Sequence, residues 1–245
     1  MNSDIRTTRW LGAAFVAQFV TSLAAGILSI KLLAAGPAGA LAATTGNIVA
    51  VRGTAMLEVF TAVGVLALAT LLHAIVGDDD RPLALVASGL WIAEAILYVV
   101  GALGLYGLAT LASGASATAG GASLAGAGAL AFSIHQNAYT AAMLFFCIGA
   151  LLWYSLLYRT EVVPHWLAGW GFLSTLPLLV SITLTLWDRS LGLGVIAGIP
   201  YVPFEFTIGI WLFVFAGRSV AAHHGIARDS ALHAAAPARL GGALS

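Results

Sequence analysis

Four ionisable residues stand inside long apolar runs: Glu58, Glu94, His135 and Glu205. A charged side chain at the centre of a spanning helix is costly, so each of these calls for a partner or a purpose. Burial disfavours a carboxylate, so Glu94 or Glu205 can keep its proton at neutral pH and serve as a general acid. The other carboxylate, or His135, then takes a proton back, while aromatic faces stabilise a developing cation. That combination suits isomerisation or cyclisation of a lipophilic, terpenoid-like substrate. It equally describes a proton-coupled transporter of a small amphiphile, with Glu and His as the relay. A third reading makes the polar residues packing glue, worth ~0.6 kcal/mol each, in a structural subunit of a membrane complex.

Spacing adds a second layer, because residues four apart share a helical face. Glu94 has Tyr98 at that offset, His135 has Tyr139, and Glu205 is preceded by Tyr201. Trp91 widens the face of Glu94, and Gln136 and Asn137 add polar groups beside His135. Arg52 stands one and a half turns before Glu58, where it caps a shared cavity or forms a structural pair with that acid. Pro200 and Pro203 loosen the helix that carries Glu205, which membranes tolerate where a helix lines a cavity or packs in protein. The expected catalytic set is Glu94, Glu205 and His135. The expected ligand-binding set is Arg52, Glu58, Trp91, Tyr98, Asn137, Tyr139 and Tyr201.

The elements that must hold these residues follow from composition. The chain has 245 residues, 60% of them hydrophobic and 8% charged, and a mean hydropathy of +0.98. Soluble domains are about 25% charged, so this surface belongs in lipid. Runs of spanning length predict six transmembrane helices near Trp10–Ile30, Thr54–Val76, Leu83–Tyr106, Ala127–Leu152, Trp166–Trp187 and Val195–Phe215. An open sheet cannot satisfy its backbone in lipid, and no period-two pattern long enough for a barrel is present, so the fold class is all-α, a polytopic helical bundle. At ~1.5 Å per residue, Glu58 falls roughly 6 to 9 Å from the outer end of its helix, His135 about 12 Å, Glu205 roughly 15 Å and Glu94 about 18 Å. All four therefore lie in the outer half or at the midplane, within reach of one cavity.

Orientation follows from the basic residues. Arg6, Arg9, Arg81, Arg159, Arg218, Arg228 and Arg239 fall on one side, against Lys31, Arg52 and Arg189 on the other, which puts both termini in the cytoplasm. The bacterial cytoplasmic (inner) membrane is the expected location. Small residues at Ala38-Gly39-Ala40 imitate a signal-peptide cleavage site, but the preceding apolar run is longer than a signal h-region, so the first span is read as retained. Residues 1–217 form one transmembrane domain, and 218–245, with His223, His224 and His233, a disordered cytoplasmic tail. The Gly-, Ala-, Ser- and Thr-rich stretch Gly107–Gly126 reads as a flexible external loop. Asp78-Asp79-Asp80-Arg81-Pro82 reads as a solvated turn with a helix starting at Pro82. His73 is expected at the interface, Asp188 and Arg189 capping an external loop, and Cys147 in packing. Gly101 and Gly104, like Gly192, Gly194 and Gly198, allow close helix contact.

Other chemistries find no support. No His-Glu-x-x-His or Glu-x-x-His pair occurs, so a metal would need one ligand from each of several helices, and neither metal nor cofactor is expected. A phosphate loop and a Gly-x-Ser-x-Gly elbow are both missing from the sequence. Ten basic against ten acidic residues leave no footprint for nucleic acid. The expected partners are membrane lipids and a small lipophilic ligand, and a homo-oligomer is compatible with the sequence.

The run Arg159-Thr-Glu-Val-Val-Pro164-His-Trp-Leu-Ala-Gly-Trp-Gly171, with His135 ahead of it and Pro203-Phe-Glu205-Phe-Thr-Ile-Gly209-Ile-Trp-Leu212 after it, resembles the domain-of-unknown-function 4386 family of bacterial multi-pass membrane proteins. The resemblance runs from about Arg9 to Gly217. It implies that Arg52, Glu94, His135, Pro164 and Glu205 match residue types the family tends to carry. The family often has Arg three residues before the acid of the third helix, whereas Trp91 stands there in this chain. That departure disfavours an ion-pair role for Glu94 and favours a protonated acid or another partner. The resemblance implies a multi-spanning helical architecture and names no substrate.

Overall fold

In lipid a backbone must satisfy its own hydrogen bonds, and the apolar runs do so as helices. The computed structural model describes residues 2–115, 121–223 and 225. In chain order the helices are α1 (Asn2–Leu32), α2 (Gly36–Thr45), α3 (Ile48–Val76), α4 (Arg81–Ala115), α5 (Gly121–Thr160), α6 (His165–Trp187) and α7 (Tyr201–Val214). Two 3₁₀ turns, Arg189–Leu191 and Gly194–Gly198, join α6 to α7. Among the described residues six helical segments are long and apolar enough to cross a membrane, and no strand occurs.

The spanning helices form a closed ring in the order α1, α3, α4, α5, α6, α7, with α7 packed between α6 and α1. Small residues permit that closure. A Cβ on Gly12 of α1 would overlap the backbone of Phe213 on α7, and one on Gly209 of α7 would come 2.9 Å from Val16 of α1. The start of α1, the end of α3, the α5–α6 turn and residues 219–223 converge on one end, where they share a cavity. This is the proximal end; α2 marks the distal one. The main core lies within the ring and includes Phe15, Trp91, Phe146, Trp153, Tyr154 and Phe204. A smaller core, with Leu33, Ala40, Val51, Leu105 and Phe132, gathers α2, α3, α4 and α5 distally.

Three expectations need correction. The stretch Gly107–Gly126 is not a loop up to Ala115 or from Gly121 onward: α4 and α5 continue through it, and residues 116–120 lie outside the described residues. Its small residues serve packing instead, with Leu108, Ala109 and Ala112 fully buried. Second, α2 went unseen because ten residues cannot span a bilayer; Gly36, at φ +66, and a proline in its first turn start it. It also contains the residues that imitate a cleavage site. Third, the last span is not one helix from Val195. The chain re-enters after Trp187 and runs back along α6, with the Leu193 N–H donating to Ser181 Oγ (2.9 Å) and the Trp170 indole N–H to the Pro200 carbonyl (3.2 Å).

The α3–α4 turn and the start of the tail are more engaged than a solvated loop and a free end. Asp80 accepts from the Leu83 N–H at the start of α4 (3.3 Å) and faces Arg159 at 3.5 Å. Residues 216–223 are helical, and His223 lies 3.6 Å from Asp79 and 3.3 Å from the Thr160 carbonyl. The rest of the expected tail, apart from Gly225, lies outside the described residues.

Candidate functional site

The ring divides the four ionisable residues into two tiers. In the distal tier, Glu58 of α3 and His135 of α5 stand 3.6 Å apart, both nearly inaccessible. At that separation they form an ion pair when the imidazole is protonated rather than a close hydrogen bond. Packing fixes them: Gly104 of α4 sits so close to α5 that a Cβ there would come 2.9 Å from the His135 nitrogen, and a Cβ on Gly101 would face both His135 Nδ1 and Glu58 Oε2. This pair lies one turn along from Ala55 and Ala131 of the distal core.

The second tier holds Glu94 of α4 and Glu205 of α7. Seven residues along α4 separate Glu94 from Gly101, which puts this tier about 10 Å deeper in the bundle. Glu94 is 1% accessible and Glu205 7%. Their helices are not neighbours in the ring, yet the two carboxyl groups lie within electrostatic range across its interior. Both oxygens of Glu94 are buried and have no hydrogen-bond partner among the described residues. Because Phe204 rests on Gly171 and Trp170 holds Pro200, Glu205 is level with the first two turns of α6. It therefore lies in the proximal half, not the outer half expected from an uninterrupted helix.

Aromatic residues line this tier and link it to the first. The rings of Tyr98 and Tyr139 meet edge to face at 6.1 Å, and Tyr98 lies within electrostatic reach of Glu58, Glu94 and Glu205. Below them, Trp91 stacks on Phe146 (6.4 Å) and donates its indole N–H to the Phe146 carbonyl (3.3 Å). Phe146 meets Tyr201 edge to face at 5.2 Å. Tyr201 does not turn its hydroxyl to Glu205. That hydroxyl is 2.6 Å from the Tyr154 hydroxyl, within the buried core. Tyr154 and Phe146 were missed by reading only the surroundings of charged residues, although their eight-residue spacing already put them on one face of α5.

Other expected site residues sit elsewhere. Arg52 is exposed and reaches Ser113 (3.5 Å), not Glu58. Asn137 is exposed and accepts from Arg189 (2.6 Å), tying the α6–α7 connection to α5. Asp188 caps the first 3₁₀ turn: the Ser190 N–H and hydroxyl both donate to its carboxyl at 2.8 Å and hold it below its ordinary value. His73 is partly buried near Ser88 (3.4 Å), and Cys147 is a buried thiol. Two cavities, of about 250 and 290 Å³, open at the proximal end and include none of the four ionisable residues. No group of three or more His, Cys, Asp or Glu suited to a metal occurs among the described residues.

Residues 10–216 match the family described as Domain of unknown function (DUF4386). The chain belongs to that family. The match covers all six spanning helices from Trp10 of α1 to the end of α7, and with them both tiers of the DUF4386 interior. No curated protein and no solved structure matches the chain. For this DUF4386 member, then, function must be read from the interior itself.

Proposed function

We propose that this multi-pass membrane protein binds a small lipophilic molecule bearing a hydrogen-bond donor between Glu94 and Glu205, and that the two acids carry out acid-base conversion of it. The observation that carries this reading is Glu94, whose carboxyl oxygens are both buried and unpartnered among the described residues, opposite a second buried acid. Buried polar groups are nearly always satisfied, and an orphan costs about 1–3 kcal/mol. A ligand donor relieves that cost. The Trp91, Phe146 and Tyr201 rings supply apolar walls and electron-rich faces for a transient carbocation. In the simplest conversion a protonated acid delivers its proton to a double-bond carbon and the other carboxylate removes one from a neighbouring carbon. The double bond shifts with no oxidant and no net proton uptake, and proton return between the acids resets the site.

A second reading, proton-coupled transport, is favoured by a different observation. The chain breaks into 3₁₀ turns just before Glu205, and discontinuous helices in carriers often flank a binding site. The Tyr98–Tyr139 contact also bridges the two tiers along the bundle. Mass spectrometry of small molecules retained by the purified parent, Glu94→Gln, Glu205→Gln and His135→Ala tests the shared binding step. We expect a molecule kept by the parent and by folded His135→Ala but lost from both Glu variants. If the parent retains nothing distinctive and the variants lose only thermal stability, the acids are helix glue. With a ligand identified, product formed in detergent supports the enzyme, and movement only in sealed vesicles supports the carrier.

A further inference from the structure

One of the proximal cavities lies between α5 and α6, away from the four ionisable residues of the interior. Tyr154 and Ala168 are its buried floor, and Phe172 and Leu173 form its apolar flank. Gly169 faces open space there, since a Cβ on it would meet nothing within 4 Å. Arg159 stands at its edge, 64% exposed, with one guanidinium nitrogen loosely facing Asp80 at 3.5 Å. An exposed pair of that length contributes little, so most of the guanidinium donors remain for a stronger acceptor.

The turn that follows Arg159 has an unusual backbone. Glu161 occupies a left-handed conformation, φ 52, in the turn between α5 and α6, and its carboxylate lies 3.6 Å from His165. Non-glycine residues adopt that conformation uncommonly and at some cost. Arg159 thus faces Asp80 at the end of an apolar groove between α5 and α6. Exposed Tyr158 stands beside it, as aromatic residues do at membrane interfaces.

We propose that this groove binds a zwitterionic phospholipid with a primary ammonium headgroup. The phosphate pairs with Arg159, for which the planar guanidinium is well shaped. The ammonium donates to Asp80, and an acyl chain lies along Phe172 and Leu173 over Tyr154. Basic pockets between spanning helices are a common form of lipid headgroup site. Asp80 selects against a purely anionic headgroup, and a trimethylated ammonium has no N–H to give it. The site is separate from the Glu94–Glu205 interior and stands or falls independently of the function proposed there.

The test is native mass spectrometry of the full chain in nanodiscs of phosphatidylcholine doped with equal amounts of phosphatidylethanolamine and phosphatidylglycerol. We expect phosphatidylethanolamine to be retained preferentially, Arg159→Gln to lower its retention about fivefold, and Arg159→Lys to restore part of it. Gly169→Trp should fill the groove and abolish retention, while Gly26→Trp, at an equally open glycine of α1, should leave it unchanged. A melting curve in detergent identifies any variant that fails to fold; in that event Phe172→Trp replaces Gly169→Trp as the groove-filling variant. Equal retention of all three headgroups, preference for phosphatidylglycerol, or indifference to both Arg159→Gln and groove filling would overturn the proposal.

Discussion

Glu58 and Glu94 are both nearly inaccessible acids in long helices of the same bundle, yet their surroundings differ in kind. Glu58 faces His135 at 3.6 Å, where tight packing of α4 on α5 fixes the imidazole. Glu94 has Glu205 across the interior, aromatic rings around it and no hydrogen-bond donor among the described residues. The first arrangement sets an acid against a base and ties α3 to α5, although Glu58 Oε2 and His135 Nδ1 carry no hydrogen bond among the described residues. The second sets one acid against another, and neither oxygen of Glu94 has a hydrogen-bond partner among the described residues, which is the cost the proposed ligand would relieve.

The largest expected effect breaks the Glu58–His135 pair. Glu58→Gln and His135→Gln should each destabilise the detergent-solubilised protein by about 3–5 kcal/mol, because removing one member of a buried pair strands the other. The double variant should fall by less than the sum of the two, which a double-mutant cycle on thermal or denaturant unfolding would show. Additive losses would mean that the two side chains act separately.

Next comes the converse experiment on the other tier. Glu94→Leu should leave the protein as stable as the parent or raise its stability by about 1–3 kcal/mol, since it removes an orphaned polar group from an apolar interior. The same variant should lose ligand retention, a trade of function for stability common at binding sites. Loss of stability on the scale of the Glu58 variants would erase the distinction between the tiers.

A smaller effect sharpens the comparison at the edge of the second tier. Tyr154→Phe and Tyr201→Phe each remove the buried 2.6 Å hydroxyl contact, so each should cost about 1 kcal/mol, with little further loss on combining them. Denaturant titration of the three variants measures it. The smallest effect is expected at Arg52, whose exposed guanidinium meets Ser113 in a long contact of 3.5 Å. Arg52→Ala should change stability by less than about 0.5 kcal/mol and leave ligand retention intact.

The spans were legible in the sequence because length and hydropathy are local properties, and a lipid-facing helix announces both. The distal ends of α4 and α5 were not. A stretch of Gly, Ala and Ser reads as a linker in water, but between packed helices the same small side chains let backbones approach. Ala109 and Ala112 do so here, buried at the distal core. The four ionisable residues were legible as the odd members of apolar runs, and Tyr98 and Tyr201 as aromatic neighbours on shared faces. Which residue meets which was not. Arg52 is the nearer partner of Glu58 along the chain, yet α5 brings His135 to that acid from another helix. Glu205 was displaced for a related reason: Pro200 and the 3₁₀ turns send the chain back along α6 before α7 begins. No count along a straight helix foresees that.

The most direct measurement is a side-by-side comparison of Glu58→Gln and Glu94→Gln by thermal unfolding in one detergent. The two substitutions are isosteric and equally buried, and each removes one carboxyl group. A marked drop in melting temperature is expected for Glu58→Gln and an unchanged or higher one for Glu94→Gln. Equal drops in both would contradict that expectation, because Glu94 would then be a structural residue like its counterpart.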